Sequence, residues 1–382
     1  MEIHKIHKIH KDSQGEMMEN PFRPTAGATP PDLVGRGGVL DEFAYGLRMG
    51  SGAPGLLTIF TGARGIGKTV MLGAAEDLAI NGGWAVVSET ATGGFLGRIG
   101  EAMRRLTDDL GDGPTGRRVT ALSIAGFSVT TQLAPEEQVD WRARGAALLR
   151  LLAHRGTGLV ITVDEIHAAD RTELSQLAAD VQHFIREGLP IGLVFAGLPA
   201  AVSDLLNEGV ATFLRRADRI DLHAASIAEV QRSFTETFNT AGKRLTVDLA
   251  EAAAEATGGY PFLIQLVGYY LWQEAEKSST GLDGPAVGRA IMAARRRNER
   301  LVIEAALSTT SDRDKDFLQA MADDEGPSST IDIGKRTGMR PNAVGNYRTR
   351  LLDAGLIEAV AHGSVDFAIP GLREYLRARA SH

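Results

Sequence analysis

Residues 56–61 read Leu-Leu-Thr-Ile-Phe-Thr, and Gly62-Ala63-Arg64-Gly65-Ile66-Gly67-Lys68-Thr69 follows at once, with Val70 opening a run of helix formers to Ile80. This succession constrains the fold more than any other feature. A strand-length apolar run, a glycine loop and a helix define a βα unit and the direction in which it opens. The glycines let backbone N–H groups curl around a phosphate, and the positive N-terminus of the helix faces the same charge. Lys68 has the reach for the β- and γ-oxygens of a nucleoside triphosphate, and the Thr69 hydroxyl suits Mg²⁺. Gly62, Ala63, Arg64, Gly65, Ile66, Gly67, Lys68, Thr69 and Val70 are therefore the candidate residues for binding ATP or ADP.

The chain has 382 residues, room for two or three domains with ample core. Its net charge of −7 does not announce a nucleic-acid binder, so any such surface must be local. The absence of cysteine excludes disulfides and thiolate metal sites and fits a reducing cytoplasm. The longest apolar runs are strand-length, and neither a membrane span nor a signal-peptide core is expected. His4, His7 and His10 recur beside lysines at the start. Residues 1–18 read either as an expression tag before a natural start at Met17 or Met18, or as a metal-binding segment, and are set aside from the fold.

Residues 19–33 are Pro-rich and should run extended over a surface. Strands are expected over Trp84–Ala91, Leu159–Glu165, Ile191–Pro199 and Arg219–His223. Helices are expected at 39–49, 94–110, 137–154, 171–187, 200–206 and 210–216. Strands alternating with helices imply a parallel sheet covered on both faces. Residues 113–134 have β-propensity and partial alternation, and read as a hairpin-like insertion. After Ala225 the pattern is helical: 226–241, 246–257, 261–276 and 284–307. From Ser311 the order is helix, helix, turn, helix and hairpin, as in a winged helix. The divisions are thus an α/β core over 19–225, a helical lid over 226–307 and a winged helix over 308–382.

Asp164 and Glu165 end a buried apolar strand, the place where open α/β sheets bind ligands. A carboxylate there can hold Mg²⁺ and a second can polarise the attacking water. Asp164, with Thr69, is the candidate metal ligand, and Glu165 and Lys68 are the candidate catalytic groups. His167 and Asp170 read as loop residues.

With these residues, and with Val34-Gly35-Arg36, Asp164-Glu165-Ile166-His167, Ala196-Gly197-Leu198-Pro199 and Gly259-Tyr260-Pro261-Phe262, the chain resembles the AAA+ and STAND ATPases, in particular the initiator-like, origin-recognition-type branch common among actinobacterial ATP-binding proteins. The resemblance implies a P-loop NTPase core with a lid. It also implies that Val34, Gly35 and Arg36 line the adenine pocket, and that Pro261 packs near the nucleotide. It points to Arg215 and Arg216 as arginine-finger candidates; the residues alone read equally as a solvated pair at a helix end. Two departures are visible. Ala196-Gly197-Leu198 offers no polar sensor, and the lid helix offers Phe262 and Leu263 where many relatives carry an arginine. Both fit a switch that turns nucleotide over slowly.

In the third unit Lys335, Arg336, Arg340, Arg348 and Arg350 crowd a stretch without acids, while Val344, Tyr347 and Leu351 share a helix face suited to the core. Lys335, Arg336, Arg340, Asn342, Asn346 and Arg350 are the candidate contacts to double-stranded DNA, since Arg and Asn read guanine and adenine edges. The alternative is a protein partner or self-association, because winged helices also dock on proteins.

Overall fold

The computed structural model describes residues 19–25, 30, 32–111, 135–207, 212–278, 281–361 and 363–380. The His-rich start and the insertion expected over 113–134 lie outside the described residues.

The core is a sheet of five strands in the order β2-β3-β4-β1-β5, with every neighbouring pair parallel. They are β1 (Leu57–Thr61), β2 (Ala85–Thr90), β3 (Leu159–Asp164), β4 (Ile191–Gly197) and β5 (Asp218–Asp221). Parallel strands need crossovers. These are α2 (Lys68–Asn81) after β1, α3 (Phe95–Gly111) and α4 (Pro135–His154) after β2, α5 (Arg171–Arg186) after β3 and α6 (Pro199–Asn207) after β4; α1 (Asp41–Met49) precedes the sheet. Alternation along the strands feeds both faces. Ile59, Ile161, Val163, Leu193 and Phe195 point into one apolar cluster, and Phe60, Val160, Val194 and Ala196 into the other. Each fully buried Val, Leu, Ile or Phe contributes roughly 1.5–3 kcal/mol. In place of the helix expected at 210–216, a 3₁₀ turn spans Thr212–Arg216, while 208–211 lie outside the described residues.

Four helices follow: α7 (Ile227–Thr240), α8 (Val247–Glu255), α9 (Pro261–Glu276) and α10 (Gly284–Asn298). Ser226 and Glu229 form a capping box that starts α7. Phe234, Phe238 and Trp272 form their aromatic core, joined by Phe22 from the Pro-rich start. Phe22 lies against Gly268, where any Cβ would come within 2.3 Å of its ring. The single helix expected over 284–307 is broken by a π turn at Glu299–Ile303 before α11 (Glu304–Leu307). Just ahead of that turn, buried Asn298 donates to Pro370 O at 3.2 Å, so the backbone adjusts where the third unit abuts the lid.

The third unit holds α12 (Asp312–Ala322), β6 (Ser328–Ser329), α13 (Thr330–Thr337), α14 (Pro341–Asp353), β7 (Ile357–Ala361), β8 (Ser364–Phe367) and α15 (Leu372–Ala380). Its antiparallel sheet runs β6-β8-β7. β6 has two residues, too few to show alternation in the sequence. Phe317, Ile333, Val344, Leu351 and Val365 form the core of the unit, with Tyr347 partly buried against it.

Candidate functional site

β1 ends at buried Thr61, and the chain turns at Gly62 into the glycine loop. A Cβ at Gly62 would stand 2.7 Å from Leu222 O and 2.9 Å from Ile66 Cγ2, so only glycine fits. Gly67 caps α2 from the left-handed region (φ 95°), and the first turn of α2 begins with Lys68. The amides of that turn have no partner within the helix, which suits them to phosphate oxygens. The Lys68 ammonium is buried and donates to Gly62 O at 3.0 Å and Ala63 O at 2.8 Å. Burial lowers its pKa, while Glu165 and Asp164 act to keep it charged. Arg36 donates to Ile66 O at 2.9 Å and so braces the loop from the preceding strap. Its pKa too is lowered by burial, opposed by Glu229.

The loop and the acidic strand end meet directly. Thr69 Oγ1 donates to Asp164 Oδ2 at 2.5 Å, and Asp164 Oδ1 accepts from the Glu165 amide at 2.7 Å. Glu165 adopts the left-handed conformation (φ 58°), the one residue other than glycine to do so among the described residues. Its Oε2 lies 2.8 Å from His167 Nε2. That hydrogen bond holds the Glu165 carboxyl below its ordinary pKa against the effect of burial, with help from Lys68 and Arg64. Asp170 is an N-cap, accepting from the Thr172 and Glu173 amides. A hydroxyl and a carboxylate in contact form a hard oxygen donor set that fits Mg²⁺, which is commonly held by one or two protein oxygens beside substrate phosphates. Among the described residues no cluster of three or more His, Asp or Glu could hold a metal alone.

At the end of β4 the sensor place is filled rather than polar. A Cβ on Gly197 would stand 2.4 Å from Ile166 Cγ1, so the side chain after Glu165 occupies the space a sensor would need.

Val34 packs on the lid core and Leu33 on the sheet core, so the strap bridges the two. Gly35 abuts Ala225, whose amide donates to Gly259 O at 2.9 Å. A Cβ on Gly259 (φ 75°) would stand 1.9 Å from Ala225 O, which makes this crossing of core and lid specific to glycine. Pro261 faces the loop, 3.6 Å from where a Gly67 Cβ would be. Of the candidate nucleotide contacts, Arg36 and Pro261 thus lie beside the phosphate loop, while Val34 and Gly35 lie where the lid meets the core. Phe262 and Leu263 pack into the lid core.

Arg215 and Arg216 lie elsewhere. Arg215 donates to Leu206 O at 2.8 Å, and Arg216 lines a cavity with Pro54, Leu57, Gln182 and Arg186 at the opposite end of the strands. Neither is at the phosphate loop of its own chain.

The third unit reaches the site. Gly355 lies against Leu198 and Arg64, and Asp353 borders a cavity of about 270 Å³ with His167, Arg171, Leu198 and Asp204. Sequence gave no signal for this contact, because it joins residues far apart in the chain. The DNA candidates Lys335, Arg336, Arg340, Asn342, Asn346 and Arg350 are all exposed, and among them Arg340, Asn342 and Asn346 make no side-chain ion pair among the described residues. Arg350, exposed as expected of the outer face, is also tied to its own domain, its Nε 2.9 Å from Asp314 Oδ1. The cause is a buried carboxylate that needs a partner. Arg336 pairs with Asp324 at 2.5 Å and Lys335 with Asp332 at 2.8 Å.

A parallel sheet with helices on both faces, a glycine loop after its inner strand and an acid pair two strands away define the P-loop AAA+ ATPase fold. Residues 32–194 match the family model described as AAA ATPase domain, and the chain therefore holds an AAA+ ATPase-type domain. Residues 300–376 match the model described as Domain of unknown function (DUF8462). Among solved structures the chain is similar to the Walker-type ATPase PABY2304 of Pyrococcus abyssi, at 14% identity and TM-score 0.63 over 91% of this chain and 96% of that one. It is also similar to the Aeropyrum pernix ORC2 protein in its ADPNP-ADP complexes, at 15% identity and TM-score 0.57 over 94% and 98%. At these identities the likeness is one of fold. No curated protein matches the chain. No helix among the described residues is long and apolar enough to cross a membrane.

Proposed function

We propose that this chain is an ATP-binding, slowly hydrolysing switch of AAA+/STAND type, in which nucleotide state controls a DNA-binding winged helix formed by the third unit. ATP lies between core and lid. The amides of Gly62–Val70 and the Lys68 ammonium hold its phosphates, and Val34, Gly35, Arg36 and Pro261 border the base. To do this Lys68 exchanges the Gly62 and Ala63 carbonyls for phosphate oxygens. Thr69 and Asp164 hold Mg²⁺, which supplies charge neutralisation on the phosphates. Glu165 polarises the attacking water. Arg215 and Arg216 act, if at all, on a neighbouring copy. Slow turnover follows from the apolar filling beside Gly197 and from the lack of a cation in the first turn of the lid helix α9.

One observation carries the coupling: the third unit comes up to the phosphate loop and the end of β4, where a Cβ on Gly355 would meet Leu198 at 3.5 Å and Arg64 at 3.7 Å. Anything that reorders the loop bears on that contact. The exposed Arg340, Asn342 and Asn346 support duplex DNA as the target. Binding of a labelled duplex, measured with and without ATP and Mg²⁺ across a salt series, tests the reading. Salt-sensitive binding that changes with nucleotide is expected; no such binding in either state removes the DNA part.

A second reading is a signalling switch or scaffold with protein partners or self-association. Its support is the neutralisation of Lys335, Arg336 and Arg350 by acids of the same unit. Light scattering with ADP and with an ATP analogue tests it, and an unchanged monomer in both argues against assembly.

A further inference from the structure

We propose that His167 is the positioning residue for the Glu165 carboxylate, holding one of its oxygens so that the other is presented to the attacking water. The inference rests on the reading that Glu165 polarises that water.

Three observations converge on it. First, the contact is direct, His167 Nε2 to Glu165 Oε2 at 2.8 Å, and Oε1 is left for another partner. Second, the usual supplier of polar contacts is missing. The end of β4 carries Gly197, whose side-chain space Ile166 fills, followed by Leu198, which faces the third unit. His167 is the side chain that hydrogen-bonds Glu165. Third, the backbone at Glu165 is left-handed (φ 58°, ψ 39°). For a residue with a Cβ this conformation costs about 1–2 kcal/mol and persists where surrounding structure fixes it.

The chemistry of the imidazole fits a fixed strut. A carboxylate only accepts, so Nε2 must carry the proton. Nδ1 is buried and has no partner among the described residues. The contact therefore asks only for a proton on Nε2, the nitrogen that faces the carboxylate. His167 also borders the cavity that Asp353 of the third unit closes, so the strut stands between the hydrolytic carboxylate and the module it would control.

The test compares the full chain with His167→Ala, His167→Gln and Glu165→Gln. The readouts are ATP affinity by fluorescent-analogue titration, single-turnover hydrolysis, and ¹⁵N shifts of the His167 ring, assigned by their loss in His167→Gln. Loss of the strut should slow hydrolysis roughly tenfold or more, with ATP affinity and KM within about twofold, since binding rests on the loop amides and Lys68. Gln, which can donate from its amide at a similar reach, should recover most of the rate. The ring should carry a proton on Nε2, and its shifts should move in Glu165→Gln.

Unchanged turnover in His167→Ala, with Glu165→Gln slow, would overturn the role of His167 alone. So would a Gln variant as slow as the Ala variant, or a ring protonated on Nδ1 alone. Normal turnover in Glu165→Gln would overturn the reading of Glu165 and the strut with it.

Discussion

Gly355 lies against Leu198, 3.5 Å separating the Leu198 Cδ2 from where a Gly355 Cβ would be. Leu198 follows the strand that runs between the phosphate-loop strand and the acidic strand, and Gly355 follows the helix with the exposed Arg and Asn residues. A shift at the nucleotide thus has a short path to the third unit. Leu198→Ala should loosen the contact. Deleting this buried side chain should lower stability by about 2–5 kcal/mol. If the contact restrains the loop, release of a fluorescent ADP analogue should quicken about fivefold or more. A stability loss with an unchanged release rate would show a contact without coupling.

Lys68→Ala removes the ammonium that holds the Gly62 and Ala63 carbonyls. The fold should survive, since the glycines and α2 set the loop. ATP affinity should fall at least about a hundredfold, as a charge-assisted set of phosphate contacts disappears. Titration with a fluorescent ATP analogue, alongside a circular dichroism spectrum, checks both halves.

Much of this site was legible in the sequence. The glycine spacing with its flanking strand and helix specifies a local geometry, and Asp164-Glu165 after the β-rich run Leu159–Val163 specifies a strand end. Both are short-range signals. The contacts of Arg36 with Ile66, of Ile166 with Gly197 and of Gly355 with Leu198 are tertiary, and no local pattern encodes them. His167 shows the same limit: two residues from Glu165 it reads as loop, and its use depends on the left-handed turn at Glu165. Arg350 falls at the right helical phase for an outward reader, yet the buried Asp314 on another helix takes it. The π turn at Glu299–Ile303 had no breaker residue to announce it.

Gly197→Ser would write a polar sensor into the strand end. It should not speed hydrolysis, because its Cβ would stand 2.4 Å from Ile166 Cγ1. Overpacking of this kind costs about 1–3 kcal/mol. The double variant with Ile166→Ala should recover part of that loss, a non-additivity expected of residues in contact. Thermal melts of the two singles and the double measure it; strict additivity would mean that Ile166 does not fill the slot.

Asp180 supplies a pH dependence. Its side chain is 1% exposed, Oδ1 accepts from Arg142 Nε at 2.5 Å, and Oδ2 has no partner among the described residues. Burial raises its pKa, opposed by Arg142 and His183. The folded state then binds the proton more tightly than the unfolded one, so this group costs stability in full at neutral pH. The cost shrinks as pH falls through the folded value and is gone below the unfolded value of about 3.9. Asp180→Asn should therefore stabilise the protein at pH 7, by on the order of 1 kcal/mol. The gain over the unaltered chain should fade toward about pH 4. Melting temperatures of both proteins across that range are the check, and a gain that grows on acidification would reverse the assignment.

The basic residues of the third unit divide by what they already touch. Arg350 and Arg336 hold Asp314 and Asp324, so their loss removes pairs internal to the unit. Asp314 is buried and also accepts from Ser311, so Arg350→Ala should lower the melting temperature of the unit more than Arg340→Ala does. Arg340 caps the start of α14 through its backbone, and its side chain is exposed with no ion pair among the described residues. Arg340→Ala should leave the unfolding free energy within about half a kcal/mol of the unaltered chain. If the unit grips duplex DNA by this face, the same change should weaken binding, with about 1–3 kcal/mol lost for a base contact and the salt slope reduced by about one for a phosphate contact. Asn342→Ala and Asn346→Ala, if these residues read bases, should weaken binding without altering the slope. A duplex-binding series at several salt concentrations separates the cases. Equal, slope-free losses for Arg340 and Arg350 would trace to unfolding rather than contact, and would move the unit toward a protein partner.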